Sequence, residues 1–407
     1  MSSGHPRRVV ITGLGAVSCI GIGVAEFTAS VREGKNGAAP ITGFDTAGFP
    51  HVMACEVKDF DPGQLLEKLD IELWGRSSLF AAAAARLAVR DAGIDPELLS
   101  HTRTGSIMGT TAGESKVLQE VVNQWVERGM KDVDPRLAPM APAGQIANAA
   151  SSELSLTGDS QTIPTACSAG NMALAYGYDL VRTGEADFML AGGADAVNRS
   201  CHAGFYRLGA LAEKVCRPFD INRSGILTGE GGAVLLLEPL DHAVGRGAHI
   251  YAEVLGYGVN CDAKHMINPD AASIADCIRN AHRFAGVEAR QIDYICAHGT
   301  GTPTNDATEV RAAREVFGDR LPPISSVKSM IGHTMGAASA FGAIACSKAL
   351  EEGFLPPTAN LEELDESLGP GLDVVPGKAR PATLNVVQNQ GFAFGGNNVI
   401  TVFGRVA

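Results

Sequence analysis

The chain has 407 residues, 45% of them hydrophobic and 19% charged, which suits a large buried core and excludes a disordered polypeptide. Its 33 basic and 45 acidic residues leave a formal charge of −12, which argues against nucleic acid as the main partner. The 9 cysteines are scattered, with no C-x-x-C pair and no Cys/His cluster at zinc spacing. Neither a metal site nor a disulfide framework is expected, and a reducing cytoplasm is the expected setting.

In chain order, Pro6-Arg7-Arg8 precedes an apolar run from Val9 to Ala25 that superficially resembles an export signal. Gly13, Gly15, Gly21 and Gly23 interrupt the run and no clear cleavage site follows, so it reads as a strand over 8–12, a glycine turn and a helix over 24–32. No stretch of about 20 apolar residues exists, so no membrane-spanning helix is expected. Short apolar or β-branched runs then alternate with Ala-rich helical patterns. Strands are predicted over 105–109, 159–165, 188–192, 232–238, 249–257, 294–298, 385–389 and 398–404. Helices are predicted over 76–92, 170–183, 271–285, 306–317 and 337–352. This alternation predicts α/β layers. Two turn-rich stretches, 34–50 and 353–381, read as surface excursions. A weak parallel between 162–170 and 294–302, each a strand, a small-residue turn with a reactive side chain and a helix, hints at duplication. It divides the chain into halves over 1–255 and 256–407.

Three small-residue turns carry the chemistry. In Thr162-Ile163-Pro164-Thr165-Ala166-Cys167-Ser168-Ala169-Gly170, a strand pattern ends at Cys167 and a helix pattern follows. A helix N-terminus stabilises a thiolate, lowering a thiol pKa from about 8.5. A lone cysteine in such a turn is more often a small buried hydrophobe, so its company decides. His298 opens His298-Gly299-Thr300-Gly301-Thr302-Pro303 directly after an apolar strand. His333 closes Ser325-Ser326-Val327-Lys328-Ser329-Met330-Ile331-Gly332-His333 just before an Ala-rich helix, and the apolar context suggests that Lys328 is partly buried. Singly, each histidine reads better as structural. Together, the set suits carbon–carbon bond formation: a thiolate to carry an acyl group and two Nε2–H donors for an enolate oxygen, where one donor is worth ~10²–10³ in rate. A lysine can orient the carboxylate or hold the histidines. Near the end, Gly391-Phe392-Ala393-Phe394-Gly395-Gly396-Asn397-Asn398 offers close backbone approach and a second N–H for an oxyanion hole. No Gly-x-Gly-x-x-Gly run has the right spacing, so no nicotinamide cofactor is expected.

These motifs, with R-R-V-V-I-T-G-L-G-A-V-S, R-P-F-D-I-N-R-S-G, G-E-G-G-A, D-A-K-H-M and K-S-M-I-G-H-T-M-G-A-A, resemble those of the β-ketoacyl-[acyl-carrier-protein] synthases across nearly the whole chain. The resemblance implies a thiolase-like, five-layered α-β-α-β-α fold of two similar halves, normally dimeric. It implies an acyltransferase performing decarboxylative Claisen condensation of a Cys167-bound acyl chain with malonyl-[acyl-carrier-protein]. His298 and His333 would serve decarboxylation and the enolate, with Lys328 in support and Asp306 and Glu309 ordering the network. Backbone N–H groups of Cys167 and Phe394 would form the oxyanion hole, and Phe394 would gate between acylation and condensation. Thr300 and Thr302 would line the phosphopantetheine channel, Ala112 the acyl pocket, and Arg76 and Lys214 would meet the carrier protein. Arg217 and Asp220 look structural. No bound cofactor is implied; substrates arrive on carrier phosphopantetheine.

The sequence departs from the family pattern in four places. Ala393 replaces a common glycine beside the gating Phe, which would restrict the gate. Gly342 stands where fatty-acid-type members carry a glutamate near the lysine. Ile267 and Asn268 replace small hydroxyl residues that contact pantetheine, and Leu73–Arg76 offers little positive charge to an acidic carrier. Ala112 also stands where a bulkier residue often limits the acyl pocket, so fairly long chains are expected to fit. These features point to a specialised polyketide or polyene pathway, with a housekeeping fatty-acid elongation synthase as the alternative. A chain-length-factor protein shares the fold but lacks the cysteine, so this chain suits a homodimer or the active half of such a heterodimer. A non-decarboxylating thiolase fails on the second histidine and the missing late cysteine.

Overall fold

The computed structural model describes residues 6–406. Its first strand, β1 (Val9–Ser18), is buried along its whole length. The strand runs through Gly13 and Gly15, so these glycines do not form the expected turn. Helix α2 (Arg76–Asp91) lies directly on β1. A Cβ at Gly13 would fall 2.2 Å from the Ala88 carbonyl oxygen, and one at Gly15 would fall 1.8 Å from that of Ala84. The turn belongs to Gly21–Gly23, where Gly23 takes φ +92° before helix α1 (Val24–Glu33).

The first half of the chain adds β2 (Thr104–Gly109), β3 (Ser160–Ile163), β4 (Phe188–Asp195) and β5 (Gly231–Pro239). The second adds β6 (Ala252–Cys261), β7 (Tyr294–Cys296), β8 (Ile324–Ser325), β9 (Val386–Phe392) and β10 (Asn397–Gly404). The strands order as β1-β5-β4-β2-β3 in one half and β6-β10-β9-β7-β8 in the other. Each half has the same pattern: two antiparallel pairings, then two parallel ones. The halves meet where Val9, Val10 and Ile11 of β1 pair antiparallel with Val254, Glu253 and Ala252 of β6.

Helix α2 and helix α4 (Gln145–Leu154) cover the outer face of the first half; α7 (Ala271–Ala285) and α8 (Pro303–Phe317) cover that of the second. Between the halves lie α5 (Ala169–Thr183) and α9 (Ala338–Glu352), each packed on strands of both. Almost every residue of α9 is buried, as expected of a helix that is small and apolar all round. The result is the expected five-layered α-β-α-β-α arrangement. Residue 255, the expected boundary between the halves, falls inside β6.

The duplication is real in the topology, but its internal match differs from the expected one. By sheet position, the Cys167 turn after β3 corresponds to the segment after β8 that carries Lys328 and His333. The His298 turn after β7 corresponds to the Gly109–Gly113 loop after β2. The match reaches single residues: Thr165-Ala166-Cys167-Ser168 and Thr334-Met335-Gly336-Ala337 are both tight turns entering a central helix. Each has a left-handed second residue, Ala166 at φ +51° and Met335 at φ +54°.

Among the described residues, three helices of nine residues or more escaped the sequence patterns. One, α3 (Ser115–Arg128), exposes Leu118, Val122, Trp125 and Val126 and buries only Val117, so no core-facing stripe marks it. The second, α4, packs through small residues, and the third is α6 (Arg199–Arg207). The 353–381 stretch is less a surface excursion than expected, since Thr358, Ala359, Val374 and Val375 are buried. Arg217 pairs with Glu362 at 2.6 Å, and the buried Asp220 carboxylate accepts the N–H groups of Asn222, Glu362 and Glu363, both structural roles as expected. Because β1 and α2 touch backbone to backbone, Gly15→Ala is expected to lower the unfolding free energy by about 1–3 kcal/mol in chemical denaturation. Gly144→Ala, with helical φ/ψ and open space around it, is expected to be neutral or slightly stabilising.

Candidate active site

The Cys167 turn is sharp because Ala166 takes a left-handed conformation, at a cost of roughly 1 kcal/mol for a residue with a side chain. The surroundings hold it there. A Cβ at Gly109 would meet the Ala169 backbone at 2.3 Å, and one at Gly170 would meet the Ala340 nitrogen at 2.8 Å, so the ends of β2, α5 and α9 press together around the cysteine. Cys167 is 5% exposed. Burial pushes its thiol up to about 12, against the opposing pull of the Lys328 charge. Burial therefore acts against the lowering expected of a helix N-terminus, and with the thiol at this level the resting sulfur keeps its proton.

His298 follows β7, and its backbone is held from both sides. Its N–H and that of Gly299 donate to the two oxygens of Glu309, each at 2.7 Å. The Lys328 ammonium donates to its carbonyl at 2.6 Å. Asp306 and Glu309 stand one turn apart on α8 and so share a face. Asp306 accepts the N–H groups of Thr300 at 3.1 Å, Gly301 at 3.2 Å and Phe219 at 2.9 Å. Burial raises both carboxyls, Glu309 to about 7. Lys328 is itself buried, which lowers its ammonium pKa against the attraction of Cys296 and Glu309.

His333 has a defined tautomer. The Met335 N–H donates to its Nδ1 at 3.1 Å, so Nδ1 is bare and the ring proton sits on Nε2. Burial, then the Lys328 charge, holds both imidazoles well below the usual histidine range, so both are neutral near pH 7. The two rings lie 5.6 Å apart at 82°. Nδ1 of His298 has no hydrogen-bond partner among the described residues.

Phe394 sits on a loop that Gly395 ties to the Met266 carbonyl at 2.8 Å. Its ring is 5.9 Å from Phe205 of α6, whose ring is 6.4 Å from His333. Ala393 is extended at φ −135°, a conformation open to any residue, so alanine is unstrained with the loop in this position.

Cys167, His298, His333 and Phe394 line one cavity of about 350 Å³, together with Thr300, Thr302, Ile267 and Asn268. The hydroxyls of Thr300 and Thr302 bond each other at 2.8 Å. Lys328, Asp306 and Glu309 do not line the cavity: Lys328 and Glu309 hold the His298 backbone, and Asp306 holds the 300–301 turn. No group of three or more potential metal-ligating side chains gathers among the described residues.

Three further expected residues lie outside this cavity. Ala112 does not line this cavity; its N–H donates to Asp195 at 2.9 Å. Arg76 is not a free docking cation, because its guanidinium pairs with the buried Glu230 at 2.6 Å, bonds the Val57 carbonyl and lies over the Phe80 ring. Lys214 is exposed and makes no ion pair among the described residues. At Gly342 a Cβ would fall 2.3 Å from Oδ1 of Asn389, whose amide donates to Asn171 and to the Ser339 carbonyl, so this chain has no room for a glutamate there.

Two residues were missed. Asp195, buried at the end of β4, accepts from the Thr110 hydroxyl and from the N–H groups of Thr111, Ala112 and Gly336. It joins the loop after β2 to the turn that enters α9, and burial raises its carboxyl to about 6. The sequence signal was an acid closing an apolar strand. Phe205, which bridges Phe394 and His333, gave none, because α6 itself was not predicted.

The family model described as the β-ketoacyl synthase N-terminal domain matches residues 6–243, and that of the C-terminal domain matches 251–362. A 3-oxoacyl-[acyl-carrier-protein] synthase 2 of Coxiella burnetii is 37% identical, over 98% of this chain and 99% of its own length. The solved ishigamide ketosynthase/chain length factor superposes with a TM-score of 0.97 at 48% identity, covering 99% of this chain and 100% of that one. A type II polyketide synthase ketosynthase, solved with its acyl-carrier protein and bound to a hexaketide, gives 0.89 at 30% identity, with coverages of 99% and 100%.

A buried, protonated Cys167 has a measurable consequence. Its alkylation by iodoacetamide, followed by peptide mass spectrometry, is expected to keep rising with pH to at least about pH 9. A plateau below pH 7 would show a preformed thiolate instead.

Proposed function

Because the chain belongs to the β-ketoacyl synthase family and is a condensing enzyme of the acyltransferase class, we propose that Cys167 carries the acyl chain and that His298 and His333 stabilise the enolate derived from a malonyl group. One observation carries the assignment: the thiol and both neutral imidazoles line the same cavity, and the Met335 N–H fixes the His333 proton on Nε2. In acylation the Cys167 sulfur bonds to the acyl carbonyl carbon and the bond to the carrier sulfur breaks. The thiol proton passes to the departing carrier sulfur, with a neutral imidazole available to relay it. In condensation the malonyl carboxylate leaves as carbon dioxide, and the enolate oxygen accepts from the Nε2–H groups. The enolate carbon attacks the acyl carbonyl, and the resulting oxyanion accepts from the N–H groups of Cys167 and Phe394. Collapse expels the Cys167 thiolate, which takes up a proton, and the product is a 3-oxoacyl-[acyl-carrier-protein].

The roles of the remaining residues follow. Lys328 positions His298, with Glu309 holding the other side of the same residue, while Asp306 orders the 300–301 turn. Thr300 and Thr302 line the pantetheine channel, and Phe394 is the gate. The partner is an acyl carrier protein, the substrates ride on its phosphopantetheine with no other cofactor, and the setting is cytoplasmic.

A specialised polyketide or polyene pathway is favoured over housekeeping fatty-acid elongation. The space beside Gly342 belongs to Asn389 rather than to a glutamate, and the ishigamide ketosynthase/chain length factor, at 48% identity, is more similar than the Coxiella burnetii 3-oxoacyl-[acyl-carrier-protein] synthase 2, at 37%. The exposed apolar side chains of α3 suit a subunit interface, either with a second copy or with a chain-length-factor-like subunit.

The test is incubation with acyl- and malonyl-carrier proteins and intact-mass analysis of the enzyme. The expected result is one acyl group on the native protein, none on Cys167→Ala, and a two-carbon-longer 3-oxoacyl product on the carrier. Acyl transfer to Cys167→Ala would refute the assignment.

A further inference from the structure

The exposed residues that line the cavity mouth include three large apolar side chains beside the polar Ser224, Asn268 and Thr304. Leu208 at the end of α6 is 47% exposed, Ile267 is 36% exposed and Phe394 is 37% exposed, and all three also line the cavity. Met266, next to Ile267, is 77% exposed, while its backbone carbonyl holds the Phe394 loop through Gly395. Exposed apolar residues scattered singly need no explanation, but a cluster ringing one opening marks a contact surface. Two cations are already paired, Lys264 with Asp270 at 2.9 Å and Arg217 with Glu362 at 2.6 Å, while Lys214 is exposed without an ion pair among the described residues. Arg207, beside Leu208, makes no ion pair among the described residues. Arg76 is held by Glu230, and the chain as a whole carries −12.

We propose that the carrier protein docks on this chain through the apolar rim of Leu208, Met266, Ile267 and Phe394, and that its binding is only weakly dependent on salt. The inference rests on the acyl-carrying reading of Cys167, because a thioester arm that reaches Cys167 through this cavity brings its carrier to the cavity's mouth. The fitting partner surface is an apolar patch around the site where the arm is attached, and not an acidic face seeking a basic patch. Apolar contact is insensitive to screening, whereas attraction between exposed charges fades as the Debye length shrinks. The rim also couples docking to the gate, since Met266 contributes its side chain to the surface and its carbonyl to the loop that carries Phe394.

The experiment measures KM for an acyl carrier protein bearing an octanoyl-phosphopantetheine arm, alongside acylation of Cys167 by the small thioester octanoyl-N-acetylcysteamine. Between about 50 and 500 mM NaCl the carrier KM is expected to stay within about threefold; a larger rise overturns the proposal. Met266→Glu puts a charge on the rim and is expected to raise the carrier KM at least about fivefold while the small thioester still acylates Cys167. A smaller rise overturns the proposal, as does a change of oligomeric mass with an unaltered carrier KM, which would give the rim to a subunit contact. Failure of the small thioester to acylate the native protein would refute the acyl-carrying reading itself, and with it this inference.

Discussion

The site depends on a buried ammonium. Lys328 is buried, at a depth where an unpaired charge costs several kcal/mol. It is accommodated by a 2.6 Å hydrogen bond to the His298 carbonyl and by the nearby Glu309 carboxyl, which accepts the N–H of the same histidine. The arrangement fixes His298 from both ends of its own peptide units. Burial, and then the same positive charge, keeps both imidazoles neutral, which preserves them as N–H donors and as proton acceptors. It also pulls the Cys167 thiol downward, although burial prevails. Burial first, and this one charge second, therefore set the protonation of Cys167, His298 and His333.

The fold delivers these groups because it uses one design twice. The two tight turns that enter the central helices α5 and α9 are related by the internal symmetry, and they press against each other where Gly170 meets Ser339 and Ala340. One turn presents Cys167. The other places Gly336 at the equivalent position and presents His333 just before it. Asp195 links the second turn to the loop after β2. Small residues at these contacts are demanded by backbone-to-backbone approach, which explains the glycines of β1 equally well. The geometry of the site is thus a property of how the halves close on each other rather than of any single motif.

Much of this was legible in the sequence, and the misses have physical causes. The strands and the central helices declared themselves through apolar runs, and Cys167, His298, His333 and Lys328 stood in recognisable small-residue turns. Gly13 and Gly15 misled because a glycine that admits a neighbouring helix looks like one that turns the chain. The thiol was expected to be acidic because a helix N-terminus is visible in sequence and depth of burial is not. Arg76 looked free because its partner, Glu230, lies 154 residues away. Helix α3 carried no core-facing stripe, because its apolar face points outward. The match between halves was misassigned because Cys167 and His298 share a local pattern, while sheet position pairs Cys167 with Gly336.

The central claim is that neutral imidazoles, held so by burial and Lys328, stabilise the enolate. It is tested most directly by carbon dioxide release from malonyl-carrier protein in Cys167→Gln, which removes the acyl carrier and leaves the donors. The account predicts release that varies little between pH 8 and about 6, because both rings stay neutral there, and that falls by ~10²-fold or more when His333→Ala is added. Release that climbs or collapses across that interval with a midpoint near 6.5, or that persists undiminished without His333, would contradict it.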